Sequence, residues 1–237
     1  MKKEIKMRGQ VKKWMKNKRL SFVYIILILL VIYVAIDQFL NENYENVFLC
    51  VLTMLLFSIP SFIEKKIKVM LPGALEVLIL LFIFAAEILG EINSYYAMFP
   101  HWDDMLHTIN GFLAAAIGFS LIDILNQNER FMITLSPFFV AVFAFCFSMT
   151  IGVLWEFFEY GMDQLFGLDM QKDTLLTKVP YIDIGLIDTM TDLIVNFIGA
   201  VTFSVFGYLY VKNRGKGKFV NKFIPKFINS KKDSKKD

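Results

Sequence analysis

The sequence predicts an all-α, polytopic membrane protein: six transmembrane helices in one bundle, with both termini cytoplasmic. Three observations carry this expectation. Apolar residues make up 56% of the 237, and the mean hydropathy is +0.53, more apolar than an ordinary soluble domain. Charge is pushed to the ends, with nine of the 25 Lys and Arg in residues 1–19 and ten in residues 212–237. Between them lie six apolar runs close to the roughly 20 residues that a helix needs to cross hydrocarbon. The chain therefore divides into a basic N-terminal segment (1–19), a transmembrane domain (20–211) and a basic tail (212–237).

The first run, 20–40, follows the basic segment and resembles a secretory signal in that respect. It is longer than a typical apolar signal region, and Val34-Ala35-Ile36-Asp37-Gln38 offers no small-x-small cleavage site, so it reads as a signal anchor. The second run, 47–63, is short, and Pro60 is expected to mark its end. The third, 71–92, carries Glu76, Glu87 and Glu91. The fourth covers 104–125, the fifth 131–160, long enough to project beyond the outer face, and the sixth 187–211. Cys50 and Cys146 lie inside apolar runs and read as small packing residues, not as a disulfide. The segment 161–186 holds Leu165, Phe166, Leu168, Leu175, Leu176, Val179, Tyr181 and Ile182 among polar residues. That much apolar surface predicts a cap with some helix over the bundle mouth.

Orientation follows from the basic residues. With a cytoplasmic N-terminus, the inner segments 1–19, 64–70, 126–130 and 212–237 hold 23 of the 25 Lys and Arg, and only Lys172 and Lys178 lie outside. Such a bias requires an even number of spans. The tails mix basic residues with Ile5, Val11, Trp14 and Met15 at one end and Phe219, Phe223 and Phe227 at the other, where Pro225 interrupts any helix. In a membrane protein this pattern suits topology and anionic lipid headgroups, and nucleic acid is not an expected partner.

Carboxylates interrupt the apolar runs, and nothing basic accompanies them. No Lys or Arg falls between Lys68 and Arg130, nor between Arg130 and Lys172. An acidic side chain at mid-membrane costs roughly 2.5–3.5 kcal/mol on insertion scales, so such residues mark function. Helical spacing gathers them into stripes. Glu87 and Glu91 are four apart, and Glu76 returns nearly to their face. Asp103, His107 and Gly111 step by four; Glu156, Glu159 and Asp163 lie within about 60°. Asp188, Asp192 and Asn196 also step by four, and Gly199 returns to that face. In the inferred topology four helices bring these stripes to the outer half of the membrane, all but Glu76. Gly111, Gly152 and Gly199 lie on or beside the stripes, where small residues let helices approach closely.

Several carboxylates with one imidazole and no thiolate suit a hard or borderline divalent cation: Mg²⁺, Mn²⁺, Ca²⁺ or Zn²⁺. The expected ligands are Asp103, His107, Glu156, Glu159, Asp188 and Asp192, with His107 or Glu156 as ligand or general base. Simpler roles exist for some of them. Asp103 or Asp104 fits the N-cap or first turn of the fourth span, and Asp188 that of the sixth. Glu91, Asp163 and Asp169 fit a wet interface, Asp123 and Glu129 a solvated inner end, and His101 an interfacial loop. Glu87, His107, Glu156, Glu159 and Asp192 are embedded too deeply for such roles.

Asp103-Asp104-Met105-Leu106-His107 followed by Gly111 resembles the D-x-x-x-H-x-x-x-G signature of YjdF-like bacterial inner-membrane proteins. Glu156-x-x-Glu159 and Asp188-Thr189-x-x-Asp192 resemble two later signatures of that family. Asp192-x-x-x-Asn196-x-x-Gly199-Ala200 is also similar to the end of VanZ-like proteins, linked with glycopeptide resistance. The resemblance spans about residues 85–202 and departs at Asp104, where the family more often has a basic or neutral residue. It implies a bacterial membrane protein and leaves its reaction open.

Three functions are compatible with these residues. The first is an envelope protein whose outward-facing acidic pocket binds a divalent cation and binds or acts on a lipid-linked or phosphate-bearing ligand. The second is a cation- or proton-coupled transporter with Glu76 and Glu87, read as midplane carboxylates on one face, in a relay, although no repeat relates two halves of the chain. The third is a non-catalytic scaffold, for which buried carboxylates are an expensive device. Topology is directly testable. In a cysteine-free background, Asn43→Cys and Thr174→Cys should label with an impermeant thiol reagent in whole cells, and Lys232→Cys should not. Labelling at 232 without labelling at 174 would reverse the orientation.

Overall fold

The computed structural model describes residues 18–67, 69–126, 135–167, 170–171, 174–175, 182–183, 185–213, 223 and 226–227. Six helices are long and apolar enough to cross a membrane. They are α1 (Lys18–Leu40), α2 (Tyr44–Ile67), α3 (Gly73–Ile83, prolonged by a π-helical stretch Phe84–Ile92), α4 (Trp102–Asn126), α5 (Pro137–Phe166) and α6 (Gly185–Lys212). Each expected span is a helix. The connection from α5 to α6 carries a two-residue antiparallel pair, Thr174–Leu175 with Ile182–Asp183. The basic residues 1–17, the segment 127–134 with Glu129, Asp169 and most of the tail lie outside the described residues. The chain divides into two compact units, one holding α1–α3 and the other α4–α6.

In the first unit the apolar faces of three helices meet around Leu27, Val31, Cys50, Phe57, Leu80 and Ile88. Tyr24 packs tilted against Phe57, with ring centroids 6.4 Å apart. Cys50 is fully buried, the packing residue expected of it. Pro60 does not end α2; it lies inside a helix that continues to Ile67. Proline removes one N–H from the helical ladder, a defect that a transmembrane helix tolerates, and the apolar part of the span closes just beyond it at Phe62. Past that point Glu64 accepts the Leu71 N–H at 2.5 Å, which helps turn the chain toward α3.

Two expectations about α3 are revised. Glu76 lies in the first turn, because Pro72 precedes the helix start at Gly73, so it belongs to the end of the span and not its middle. Glu87 and Glu91 sit in the π-helical stretch, where Asn93 N–H reaches back five residues to the Ile88 carbonyl at 3.1 Å. Wider turns break the four-residue stripe: Glu87 is half-buried and Glu91 is exposed.

The second unit is held by close contact of backbones. A Cβ at Gly111 would overlap the Asn196 carbonyl, and one at Gly199 would overlap the Thr108 carbonyl, so α4 and α6 touch through their main chains. Ser148 of α5 donates to the Gly111 carbonyl at 2.8 Å and brings the third helix to the same place. Toward the other end Phe203 packs edge-on against Phe112 and Phe119, with centroids 5.0 and 5.9 Å apart. Phe223 of the tail also meets Phe112 edge-on at 5.4 Å. The outward faces carry Leu154, Phe157, Ile194 and Ile198, all exposed and apolar as lipid contact requires. Cys146 belongs to this outward surface and not to the core, so its expected packing role fails; an apolar thiol costs nothing against lipid.

The bounds of α5 differ from the expected 131–160. Ser136 caps its start, accepting from Phe139 N–H at 3.2 Å with Pro137 as the first helical residue. Gly167 ends it in the left-handed conformation (φ 66°), its N–H bonded to the Asp163 carbonyl at 2.9 Å. At 30 residues α5 is about 45 Å long, more than the hydrocarbon core requires. Replacing Gly199 with Ala should separate α4 from α6 and cost roughly 1–3 kcal/mol. Gly161→Ala, where an added Cβ meets nothing within 4 Å, should be neutral or slightly stabilising. Thermal unfolding of both variants in detergent checks this; equal midpoints would refute the backbone contact.

Candidate functional site

Asp103 and His107 occupy the first turns of α4, and Asp188 and Asp192 those of α6. Acidic residues are favoured there by the unsatisfied N–H groups of a helix start. The simpler first-turn role proposed for Asp103 and Asp188 is thus correct as far as it goes. α5 runs against the other two and presents Glu156 and Glu159 at the same level. The alternation along α5 is sharp: Glu156 and Glu159 are 4% and 6% exposed, whereas Trp155, Phe157 and Phe158 face outward.

The imidazole of His107 lies at the centre. Its Nε2 is 3.7 Å from Asp103 Oδ1 and 3.7 Å from Asp192 Oδ2, and its Nδ1 is 3.8 Å from Glu156 Oε1. These gaps exceed the 2.7–3.2 Å of a hydrogen bond. They are close to the separation of two ligands placed about 2.1–2.5 Å from a shared cation. Donor atoms of His107, Glu156, Glu159 and Asp192 all lie within 4.8 Å of one another, and so do those of Asp103, Asp188 and Asp192. All six sequence-expected ligands therefore converge, from three helices and not four. Glu76, Glu87 and Glu91 belong to the first unit.

Two polar atoms here are buried without a hydrogen-bond partner among the described residues, Oδ2 of Asp192 and Oδ1 of Asn196, while Glu156 has the Thr189 hydroxyl beside it as its hydrogen-bonding neighbour. Asp192 is only 2% exposed. Leaving such groups unsatisfied costs on the order of 1–3 kcal/mol each, and more when they are charged. The three helices carry no Lys or Arg before Lys212, so no cationic side chain of theirs can compensate the carboxylates. Four buried donors of the right type, with Oδ2 of Asp192 unspent among them, fit a divalent cation. Asn196 lies directly below, its Nδ2 3.6 Å from Met149 Sδ and pressed onto Gly152, where a Cβ would come within 2.7 Å of that nitrogen.

Other residues have structural duties that the sequence reading missed. Asp163, expected to be wet, is buried and accepts the N–H groups of Met170 and Gln171 at 2.7 and 2.9 Å. It folds the chain back after Gly167, and Gln171 Nε2 then reaches Thr189 Oγ1 of α6 at 2.8 Å. The cap expected over 161–186 falls largely outside the described residues, with most of its apolar side chains. Trp155 Nε1 donates to Glu159 Oε1 at 2.8 Å, a four-residue spacing visible in the sequence but not used. His101 and Asp104 pair at 2.7 Å at the exposed edge, which places Asp104 apart from the centre. Asp123 lies on α4, but its side chain is outside the described set.

Fold and site together define a multi-pass membrane protein with a buried acidic and histidine centre between three of its helices. The chain belongs to the family described as predicted membrane protein (DUF2238), whose model matches residues 20–213. It is similar to an uncharacterized protein of Thermotoga maritima, with 26% identity over 150 residues, 63% of this chain and 69% of the relative. No solved structure matches the chain significantly.

Proposed function

We propose that His107, Glu156, Glu159 and Asp192 hold a divalent cation in the outer half of the membrane, with both chain termini in the cytoplasm. Through that cation the protein binds or acts on a phosphate-bearing, lipid-linked headgroup of the bacterial envelope. The observation that carries this reading is the unspent Oδ2 of Asp192, buried among the donor atoms of His107, Glu156 and Glu159. Asp192 faces His107 Nε2 and Glu156 faces Nδ1 across gaps longer than a hydrogen bond. One donor atom from each of the four residues lies within 4.8 Å of the others, a spacing that suits an ion taken by one of the two nitrogens. Asp103 and Asp188 lie one turn nearer the helix starts and are half-buried, so the centre is less enclosed on that side, where a headgroup would arrive. The resemblance to VanZ-like proteins supports an envelope role. A cation bound here would polarise a phosphoryl oxygen and acidify a bound water, and Glu156 is placed to take the proton.

A second reading has one observation in its favour. The first unit carries a buried carboxylate, Glu76, and a π-helical stretch around Glu87, features that occur in ion-conducting helices. Cation- or proton-driven flux in proteoliposomes would favour that transporter over a headgroup-binding protein. The metal itself is tested by elemental analysis after purification in buffer supplied with Mg²⁺, Mn²⁺, Ca²⁺ and Zn²⁺. Wild type should retain roughly one equivalent or more of one ion. Asp192→Ala should retain at most a small fraction of it, and the near-isosteric Glu156→Gln clearly less than wild type. Wild type at background, or full retention in both variants, would overturn the cation centre.

A further inference from the structure

The same six side chains form two groups and not one. His107, Glu156, Glu159 and Asp192 make the inner set; Asp103, Asp188 and Asp192 make a second set nearer the helix starts, and Asp192 is common to both. We infer that the site takes two divalent cations bridged by Asp192, an inference that rests on the cation-binding reading above.

The two sets differ in chemistry. The inner one offers an imidazole with three carboxylates and suits Zn²⁺ or Mn²⁺; the outer one is all carboxylate and suits a hard cation such as Mg²⁺, Mn²⁺ or Ca²⁺. Asp192 is the residue placed to serve both. It is buried, its Oδ2 lacks a hydrogen-bond partner among the described residues, and that oxygen faces His107 Nε2 at 3.7 Å. Asp103 also approaches Nε2, at 3.7 Å, so the two sets meet at one edge of the imidazole.

Charge points the same way. Five carboxylates surround one imidazole, which ligates a cation only in its neutral form, and the three helices supply no Lys or Arg before Lys212. With all five ionised, a single divalent cation leaves three negative charges uncompensated, a field that would repel a phosphate. Two cations leave one. Paired cations about 3.5–4 Å apart are also the arrangement that clamps phosphoryl oxygens in many phosphate-processing enzymes.

The test uses the full chain in detergent with Mn²⁺ as the only added metal. Equilibrium dialysis counts the ions, and electron paramagnetic resonance reports whether they interact. Wild type should bind about two Mn²⁺ per chain and show the exchange-coupled signal of ions roughly 3.5–4 Å apart. Asp188→Asn and Asp103→Asn should each bind one Mn²⁺ with an isolated six-line signal. One Mn²⁺ in wild type, undiminished in both variants, would overturn the second site and leave the inner cation standing. No Mn²⁺ in wild type would overturn both readings. Loss of all binding in both Asn variants would also overturn the division into two sets, because the inner donors should survive it.

Discussion

Carboxylates held inside apolar spans that carry no Lys or Arg before Lys212 form the constraint on which the rest of this structure depends. Every one of them prefers water, and lipid offers nothing in exchange. The cost of facing lipid fixes the rotation of α4, α5 and α6, so that Asp103, Glu156, Glu159 and Asp192 turn inward while Trp155, Phe157, Ile194 and Ile198 turn out. Turning inward does not remove the cost. It concentrates like charge around one imidazole and leaves Oδ2 of Asp192 without a donor among the described residues. The proposed cation would resolve this within the site, since it would supply both a partner for the unspent oxygen and the countercharge.

Close helix approach makes that concentration possible. Side chains as short as aspartate can share an ion only if their helices nearly touch. Gly111 and Gly199 bring α4 and α6 into main-chain contact one turn or two below His107 and Asp192, and Ser148 ties α5 to the same level. The aromatic layer of Phe112, Phe119 and Phe203 fills the bundle beneath. Above, Asp163 and Gln171 fasten the end of α5 to α6. Asp103 and Asp188 gain the favourable field of two helix starts, which offsets part of the price of gathering so many acids. The result is a donor set braced from both sides, as a metal centre needs if its geometry is to persist.

Much of this was legible in the sequence, for reasons that are physical. Apolar runs near 20 residues and basic ends define the spans, because hydrocarbon imposes both length and charge distribution. Four-residue steps through Asp103, His107 and Gly111, and through Asp188, Asp192 and Asn196, locate the centre because those segments are regular α-helices. Where the helix is not regular the same rule misleads: the π-helical stretch moves Glu87 and Glu91 off their common face, and Pro60 is absorbed within α2. Local backbone bonds were not legible either. Asp163 looked like another member of the α5 acid stripe, yet its oxygens serve Met170 and Gln171, whose return depends on the left-handed turn at Gly167.

The account turns on His107 as a buried cation ligand, and the chain makes this easy to isolate because it contains only two histidines. His101 is 88% exposed and paired with Asp104, so its removal should leave the centre intact. X-ray absorption at the zinc edge of the Zn²⁺-loaded protein reports imidazole directly through its outer-shell scattering. The account predicts an imidazole contribution in wild type that persists in His101→Ala and disappears in His107→Ala. Zinc bound by oxygen alone in wild type, or an imidazole signal that survives His107→Ala, would contradict it.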